Sequence, residues 1–148
     1  MITLKPVDRD NWSECIRLKV NDYQRPFLSS NLYSLAQAKV EPWWRPMCIY
    51  IEEGKAGPLM VGFLMWGFDE ADYKLWWNRW MIDVRFQGKG YGRLAGEALI
   101  NLLGRTADIY GACHLGNPIA KKMLTGLGFV PTGRMIDENE EELVLKRL

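Results

Sequence analysis

The chain has 148 residues, of which 48% are hydrophobic and 25% charged, and 19 basic against 18 acidic side chains give a formal net charge of +1. Size and composition predict one globular domain, and the balanced charge gives no support to a broad nucleic-acid surface. No apolar run has the length of a membrane span, and the first residues lack the pattern of a signal peptide. A single histidine argues against a histidine-based zinc site, so no metal is expected, and three cysteines without close pairing predict a reduced, cytoplasmic setting.

The first third of the chain predicts a strand followed by two helices. Polar and apolar residues alternate over 2–7, as in a strand, and Asp8 or Asp10 is suited to cap a helix that runs to Lys19. A second helix is expected over NLYSLAQAK, capped by the side chain of Asn31 and ended by the proline that follows.

The rest of the chain alternates strands with two further helices. Strands are expected over residues 47–53, 58–68, 74–86, 107–114, 129–135 and 142–148. One helix is expected over 91–103, and another begins at an Asn117 cap with Pro118 in its first position and stops at Gly128. No repeat, linker or low-complexity segment interrupts this order, so residues 1–148 are expected to form a single α/β domain.

Three glycines at alternate positions open the helix at residue 91. Gly88, Gly90 and Gly92 are separated by Lys89 and Tyr91. The first N–H groups of a helix lack internal partners and carry the positive end of the helix dipole, so they suit an anion, and glycine lets the backbone approach a phosphate closely. The alternative is a tight strand-to-helix turn without a ligand, but such a turn needs one glycine rather than three.

Two common phosphate-binding patterns fit this loop poorly. A P-loop needs a serine or threonine after Gly-Lys, whereas this chain continues with Gly90. The dinucleotide pattern G-x-G-x-x-A is matched from Gly90 to Ala95. That loop, however, follows a predicted antiparallel meander, and Asp108 precedes the next strand instead of ending it. A nucleotide cofactor of either kind is therefore disfavoured.

Two motifs resemble those of the GNAT acetyltransferase superfamily. QGKGYG, from Gln87 to Gly92, is similar to its pyrophosphate loop Q/R-x-x-G-x-G/A. The run from Asn117 to Phe129 is similar to its second motif, N-x-x-A-x-x-L-Y-x-x-x-G-F. The order of predicted elements agrees over almost the whole chain, and both ends of the chain are most similar to small bacterial spermine/spermidine (diamine) acetyltransferases.

The resemblance implies a fold and a cosubstrate. The fold is a single α/β (α+β) domain whose mixed, mostly antiparallel, splayed sheet is flanked by helices, and acetyl-CoA lies between two diverging strands. The strand before the loop offers backbone groups to the pantetheine arm, the loop amides hold the pyrophosphate, and the helix at Asn117 holds the far side of the arm. The implied coenzyme-binding residues are Met81, Ile82, Val84, Gln87, Gly88, Lys89, Gly90, Tyr91, Gly92, Arg93, Asn117 and Ala120, and Lys121 and Lys122 are further candidates to neutralise phosphates.

The resemblance also implies direct transfer of the acetyl group to a primary amine of a small molecule, with a polyamine as one candidate. Two side chains that assist this reaction in many relatives are absent. Leu124 stands at the position of the tyrosine that protonates the leaving thiolate, and Asn78 at that of a carboxylate base. His114, the only imidazole, lies near a strand end and is the candidate catalytic base. The alternative is a partly exposed histidine without a catalytic role.

The sequence leaves the acceptor open. Acidic residues at 69–72 and 137–142 could hold a polycation or simply form solvated hairpin turns, and Trp76 and Trp80 are expected on one strand face with Trp77 on the other. A peptide α-amine or an aminoglycoside is an alternative acceptor, and an acyl-CoA-binding domain with weak or no turnover is an alternative function. The assembly that the resemblance implies is a homodimer, and no nucleic-acid or membrane partner is expected.

Overall fold

The computed structural model describes residues 1–147, and its centre is one sheet of seven strands. The strands are β1 (Ile2–Pro6), β2 (Trp44–Glu52), β3 (Pro58–Asp69), β4 (Lys74–Ile82), β5 (Ile109–His114), β6 (Val130–Met135) and β7 (Glu140–Leu145). The α-helices are α1 (Trp12–Cys15), α2 (Asn31–Val40), α3 (Tyr91–Leu103) and α4 (Pro118–Gly126). The strand order is β1-β2-β3-β4-β5-β7-β6, and each neighbouring pair is antiparallel except β4 and β5. The expected mixed, mostly antiparallel α/β domain is confirmed.

Helices cover both faces of the sheet. Cys48 and Ile49 are neighbours in β2, so their side chains point to opposite faces, and each lies in a different cluster of buried side chains. The cluster of Ile49 includes Leu99 of α3 and Leu124 of α4. The cluster of Cys48 includes Cys15 of α1 and is extended by α2. We call these the α3–α4 face and the α1–α2 face.

The parallel strands β4 and β5 separate after a short stretch of pairing. They are paired only at Leu75–Trp77 with Ile109–Gly111, although both strands continue. Residues 78–82 of β4 and 112–114 of β5 therefore diverge, and we call the space between them the β4–β5 gap. The splayed sheet that the resemblance implies is present.

A β-bulge changes the direction of the β4 side chains at the start of the gap. Met65 pairs with Arg79 and Trp66 with Trp77, so Asn78 has no partner on β3. An unpaired residue reverses the alternation beyond it. As a result, the rings of Trp77 and Trp80 contact each other on the α3–α4 face, with centroids 4.3 Å apart, while Trp76 packs on the α1–α2 face. The expectation that Trp76 and Trp80 share a face is wrong.

The segment before α2 also departs from the sequence prediction. The helix expected to run to Lys19 spans only Trp12–Cys15 and has no side-chain cap. The chain turns away because the Lys19 backbone is bound to the end of β4, with Val84 N donating to Lys19 O at 2.7 Å. The cap of α2 is Ser30, whose Oγ accepts from Tyr33 N; Asn31 is instead buried and donates to Cys15 O at 2.9 Å.

The helices α3 and α4 begin where the sequence predicts. α3 spans Tyr91–Leu103, and α4 begins after its Asn117 cap. The long strand expected over 74–86 ends at Ile82, and a 3-10 turn over Val84–Phe86 follows. Among the helices of residues 1–147, none combines the length and the apolar character that a membrane crossing needs.

Candidate active site

The loop before α3 has a backbone that favours glycine. Gly88 and Gly90 have φ of +78° and +84°, and a Cβ added to either would meet no atom within 4 Å. Gly90 is the N-cap of α3, and no side chain accepts a hydrogen bond from the first turn. The helix start, from exposed Lys89 to half-buried Tyr91, is left uncapped beside open space. An anion is well suited to such a helix start.

Gly92 has a different role in the same motif. A Cβ at this position would lie 2.8 Å from Cε of Met123 and 3.7 Å from Cγ1 of Ile82. The missing side chain thus lets α3 approach α4 and the end of β4. Two of the alternate glycines set the loop backbone, and the third allows close packing of the helices.

The side chain of Gln87 fixes the base of the loop. Its Nε2 donates to Ile82 O and to Gln24 Oε1, both at 2.9 Å, and its Oε1 accepts from Asn21 Nδ2 at 3.2 Å. This side chain therefore joins the end of β4 to the segment between α1 and α2. Its backbone remains part of the glycine loop.

Asp83 is a buried carboxylate that no sequence motif indicates. It is 3% exposed and accepts hydrogen bonds from Lys19 N at 2.9 Å, Arg85 N at 3.0 Å and Arg85 Nε at 2.7 Å. Burial alone would raise the pKa of Asp83, but the hydrogen bonds from Arg85 and Lys19 outweigh it and hold that pKa below its ordinary value. The only signal in the sequence is an aspartate at a strand end before a turn.

The residues expected to line the pantetheine arm have different surroundings. Met81 and Ile82 are buried at the open end of β4. Val84 lies beyond the strand, and its N–H already donates to Lys19 O. The expectation that Val84 belongs to the strand is therefore wrong, and its amide is not open to a ligand.

The start of α4 lies at the β5 side of the gap. Asn117 N donates to His114 O at 2.9 Å, and Asn117 Oδ1 accepts from Ala120 N at 3.3 Å, so this residue caps the helix with its own side chain. Ala120 packs against the core of the α3–α4 face. Among the basic candidates, Arg93 pairs with Glu97 at 3.1 Å and Lys121 with Glu141 at 2.6 Å, whereas Lys89 and Lys122 are exposed.

The candidate base, His114, is the last residue of β5 and lies on the other face of the sheet from α4. Nδ1 of His114 accepts from Gly116 N at 2.9 Å, so the neutral imidazole carries its proton on Nε2. The ring of Phe27 packs on His114 with centroids 5.0 Å apart, which places His114 on the side of the segment between α1 and α2. A cleft of about 450 Å³, lined by that segment and by Met81, opens nearby at the end of β4. In this arrangement, accepting a proton at Nδ1 would break the bond to Gly116.

Arg79 is a partly buried cation that directly follows the bulge residue Asn78. Its Nη2 donates to Gln37 Oε1 at 3.0 Å and its Nη1 to Asn78 O at 3.3 Å, while its buried Nε has no partner. Burial lowers the pKa of Arg79, and the nearby Tyr33 and Glu140 oppose that change. A guanidinium stays charged in proteins, so a fixed positive charge lies beside the gap.

Asn78 and Leu124, where the resemblance implies proton-transfer groups, have side chains that do not titrate. Asn78 is the unpaired residue of the bulge. Leu124 is 5% exposed in the core, and a Cβ on Gly111 of β5 would lie 3.8 Å from it. Within residues 1–147, no group of three or more His, Cys, Asp or Glu side chains is arranged to hold a metal ion.

The acidic turns are largely occupied by structural contacts. Asp69 and Asp72 accept from the backbone of their own turn, and Asp72 also accepts from Trp76 Nε1 at 2.9 Å. Glu142 is 2% exposed and pairs with Lys74 at 3.2 Å. Glu142 is therefore not part of a solvated turn, which is one of the two alternatives that the sequence leaves open.

Comparison with known proteins identifies relatives of this chain. No family model matches the chain. Spermine/spermidine N(1)-acetyltransferase of Bacillus subtilis is 30% identical over 156 aligned residues that cover 99% of both proteins. Among solved structures, spermidine N-acetyltransferase of Vibrio cholerae, in complex with CoA and spermine, has a TM-score of 0.75 at 16% identity, covering 99% of this chain and 95% of that one. A GNAT-family acetyltransferase of Bacillus cereus has a TM-score of 0.61 at 19% identity, and the alignment covers 100% of this chain and 99% of that one.

The solved structures share the overall fold, and the Bacillus subtilis relative is similar over the whole chain. The chain therefore belongs to the GNAT family of N-acetyltransferases, which take the acetyl group from acetyl-CoA.

Proposed function

We propose that the protein acetylates a primary amine of a polyamine such as spermidine, in the β4–β5 gap. The observation that carries this proposal is the gap itself, which has an uncapped glycine loop on one face of the sheet and polar side chains on the other. The names of the Bacillus subtilis and Vibrio cholerae relatives support a polyamine as the acceptor. The exposed carboxylate of Asp137, whose Oδ1 accepts from Glu140 N at the start of β7, would attract a polycation.

For the coenzyme we propose the loop and the two helix starts. The amides from Gly88 to Arg93 would hold the pyrophosphate, together with the exposed side chain of Lys89. Met81, Ile82 and the Asn117 end of α4 would enclose the pantetheine arm. Gln87 would act chiefly by fixing the loop through its side chain.

The chemistry requires a neutral amine and a leaving thiolate. An amine with pKa near 10.4 is neutral in about one molecule in a thousand at pH 7.4, so a proton acceptor is valuable. A thiol with pKa near 8.5 is already a fair leaving group, so turnover can proceed without a donor at Leu124. His114 remains a candidate catalytic residue. Because its Nε2 carries a proton, it is better suited to donate a hydrogen bond to the polyamine than to take a proton from it. We further propose a cytoplasmic homodimer, because all three cysteines carry free thiols and the resemblance implies that assembly.

A panel of acceptors tests this proposal. Acetyl-CoA consumption is measured with spermidine, spermine, short diamines, aminoglycosides and N-terminal peptides. We expect turnover with spermidine or spermine and a weaker response from peptides. If only peptides or only aminoglycosides were acetylated, that class of amine would be the acceptor instead of a polyamine. If the coenzyme bound but no amine were acetylated, the protein would be an acyl-CoA-binding domain.

A further inference from the structure

The start of β7 brings a carboxylate to the open end of the gap. Glu140 is the direct partner of His114 in the antiparallel β5–β7 ladder. Side chains of directly paired residues point to the same face of a sheet. Glu140 and His114 therefore lie side by side on β7 and β5, past Gly111, where the pairing of β5 with β4 has ended.

The next residue, Glu141, establishes the face of the sheet to which Glu140 points. Glu141 points to the opposite side, where it pairs with Lys121 of α4 at 2.6 Å. Glu140 therefore points to the α1–α2 face, as does Arg79, whose guanidinium is bound to Gln37 of α2. Glu140, His114 and Arg79 thus surround the acceptor side of the gap from three different strands.

The backbone holds Glu140 firmly in place. Asp137 Oδ1 accepts from Glu140 N at 2.9 Å, and Ile136 N donates to Glu140 O at 2.8 Å. The ladder continues past it, because Leu115 N donates to Asn139 O at 2.7 Å. Among the ion pairs of residues 1–147, none includes Glu140, although this side chain is half-buried.

The surroundings of Glu140 suit a base. Burial raises the pKa of its carboxyl, and the nearby Asp137 raises it further, whereas His114 and Arg79 lower it. The result is a pKa above the ordinary glutamate value, which brings it closer to neutral pH, where a general base is most effective. Tyr33 of α2 and Glu41, which directly follows α2, are the other charged or titratable groups near Arg79.

We propose that Glu140 binds the ammonium group of the acceptor and takes its first proton, in place of the carboxylate that relatives carry at the position of Asn78. The freed amine nitrogen then bonds to the thioester carbonyl carbon, and the C–S bond breaks with its electron pair left on sulfur. The second nitrogen proton goes to that thiolate through water, and Glu140 returns the first proton to solvent. The products are the amide, free coenzyme thiol and one proton.

This inference rests on the proposed function, and Glu140→Gln tests it against Glu138→Gln. Glu138 lies two residues away in the same turn and is exposed, so its change removes the same charge without touching the gap. For Glu140→Gln with spermidine we expect kcat to fall by about 10²–10⁴-fold at neutral pH. We expect Glu138→Gln to match the wild type, and coenzyme affinity by calorimetry to be equal in all three proteins.

The shape of the pH profile separates a proton acceptor from a merely structural residue. In the wild type, kcat should rise with pH and become constant once the Glu140 carboxyl is ionised. In Glu140→Gln it should keep rising toward the pKa of the amine itself, near 10. A variant with reduced kcat but an unchanged profile, or with kcat equal to wild type, would overturn the role of Glu140. A wild type that acetylates no amine would overturn the proposed function first, and this role with it.

Discussion

Asp83 is the single residue that best illustrates how the site is held. Its carboxylate joins the end of β4 to Lys19 and Arg85 through three hydrogen bonds while almost fully buried. We predict that Asp83→Asn lowers the free energy of unfolding by about 1–3 kcal/mol, since it weakens charge-assisted bonds at a buried position. Asp22→Asn, which removes a carboxylate that is 95% exposed, should have no measurable effect.

The Asp83 prediction has a pH dependence with a definite sign. The pKa of Asp83 is lower in the folded chain, so its stabilisation is present above the unfolded pKa and is lost as pH falls through the folded pKa. Denaturant titrations should show a constant difference between wild type and Asp83→Asn above about pH 5, shrinking below about pH 4. A difference that grows on acidification would contradict this assignment.

Gly90 tests the placement of the coenzyme. Gly90→Val forces a β-branched residue into a left-handed backbone, which costs roughly 1–3 kcal/mol and shifts the loop. Gly104→Val is the matched control, because Gly104 also has positive φ with no atom near its Cβ, but it ends α3 rather than beginning it. We predict loss of CoA binding in calorimetry for Gly90→Val only. Equal affinities in two folded variants would exclude this loop as the pyrophosphate site.

A tyrosine at position 124 tests whether the site can accept the proton donor that the resemblance implies there. The larger, polar tyrosine ring would overpack a buried position beside Gly111, which typically costs about 1–3 kcal/mol. We therefore predict that Leu124→Tyr lowers the melting temperature, whereas the volume-conserving Leu124→Met changes it little. Thermal unfolding and the rate with spermidine are measured together. A rise in rate at an unchanged melting temperature would show that the gap accepts the phenol.

At the scale of elements, the closed end of the gap is held by an ion pair across β5. Lys74 of β4 pairs with Glu142 of β7 at 3.2 Å, and its Nζ lies 4.5 Å from the ring centroid of Tyr110 on the strand between them. Breaking a buried pair leaves an uncompensated charge, so Glu142→Gln should destabilise the chain by several kcal/mol, about 3–5 for a fully buried pair. The KM for spermidine should not change. A raised KM for spermidine together with an unchanged free energy of unfolding would indicate that Glu142 binds the polyamine.

The elements also show which features a sequence pattern can reveal. α3 and α4 were predictable because their apolar spacing, the Asn117 cap and the glycines are local signals. The reversal of Trp77 and Trp80 was not, because a bulge at Asn78 is visible only once β3 and β4 are paired. The short α1 likewise depends on a contact 64 residues away, between Lys19 and Asp83. Propensity within a segment cannot anticipate such tertiary contacts.

At the scale of the whole molecule, the sequence motifs describe the proposed coenzyme side of the gap more fully than the proposed acceptor side. The loop and the Asn117 helix are contiguous in sequence, so a motif describes each of them. Arg79, His114 and Glu140 come from three strands and meet only through the strand order β4-β5-β7. No spacing in the sequence relates them, and the sequence places Glu140 only in an acidic turn.

Above all, we propose that acetyl-CoA and a polyamine meet in this gap and that the acetyl group passes directly between them. Mass spectrometry of a reaction with isotopically labelled acetyl-CoA and spermidine tests it most directly. We predict labelled N-acetylspermidine in amounts equal to the thiol released, and no labelled protein. Thiol release without labelled spermidine, or a labelled enzyme that accumulates before product, would contradict the account.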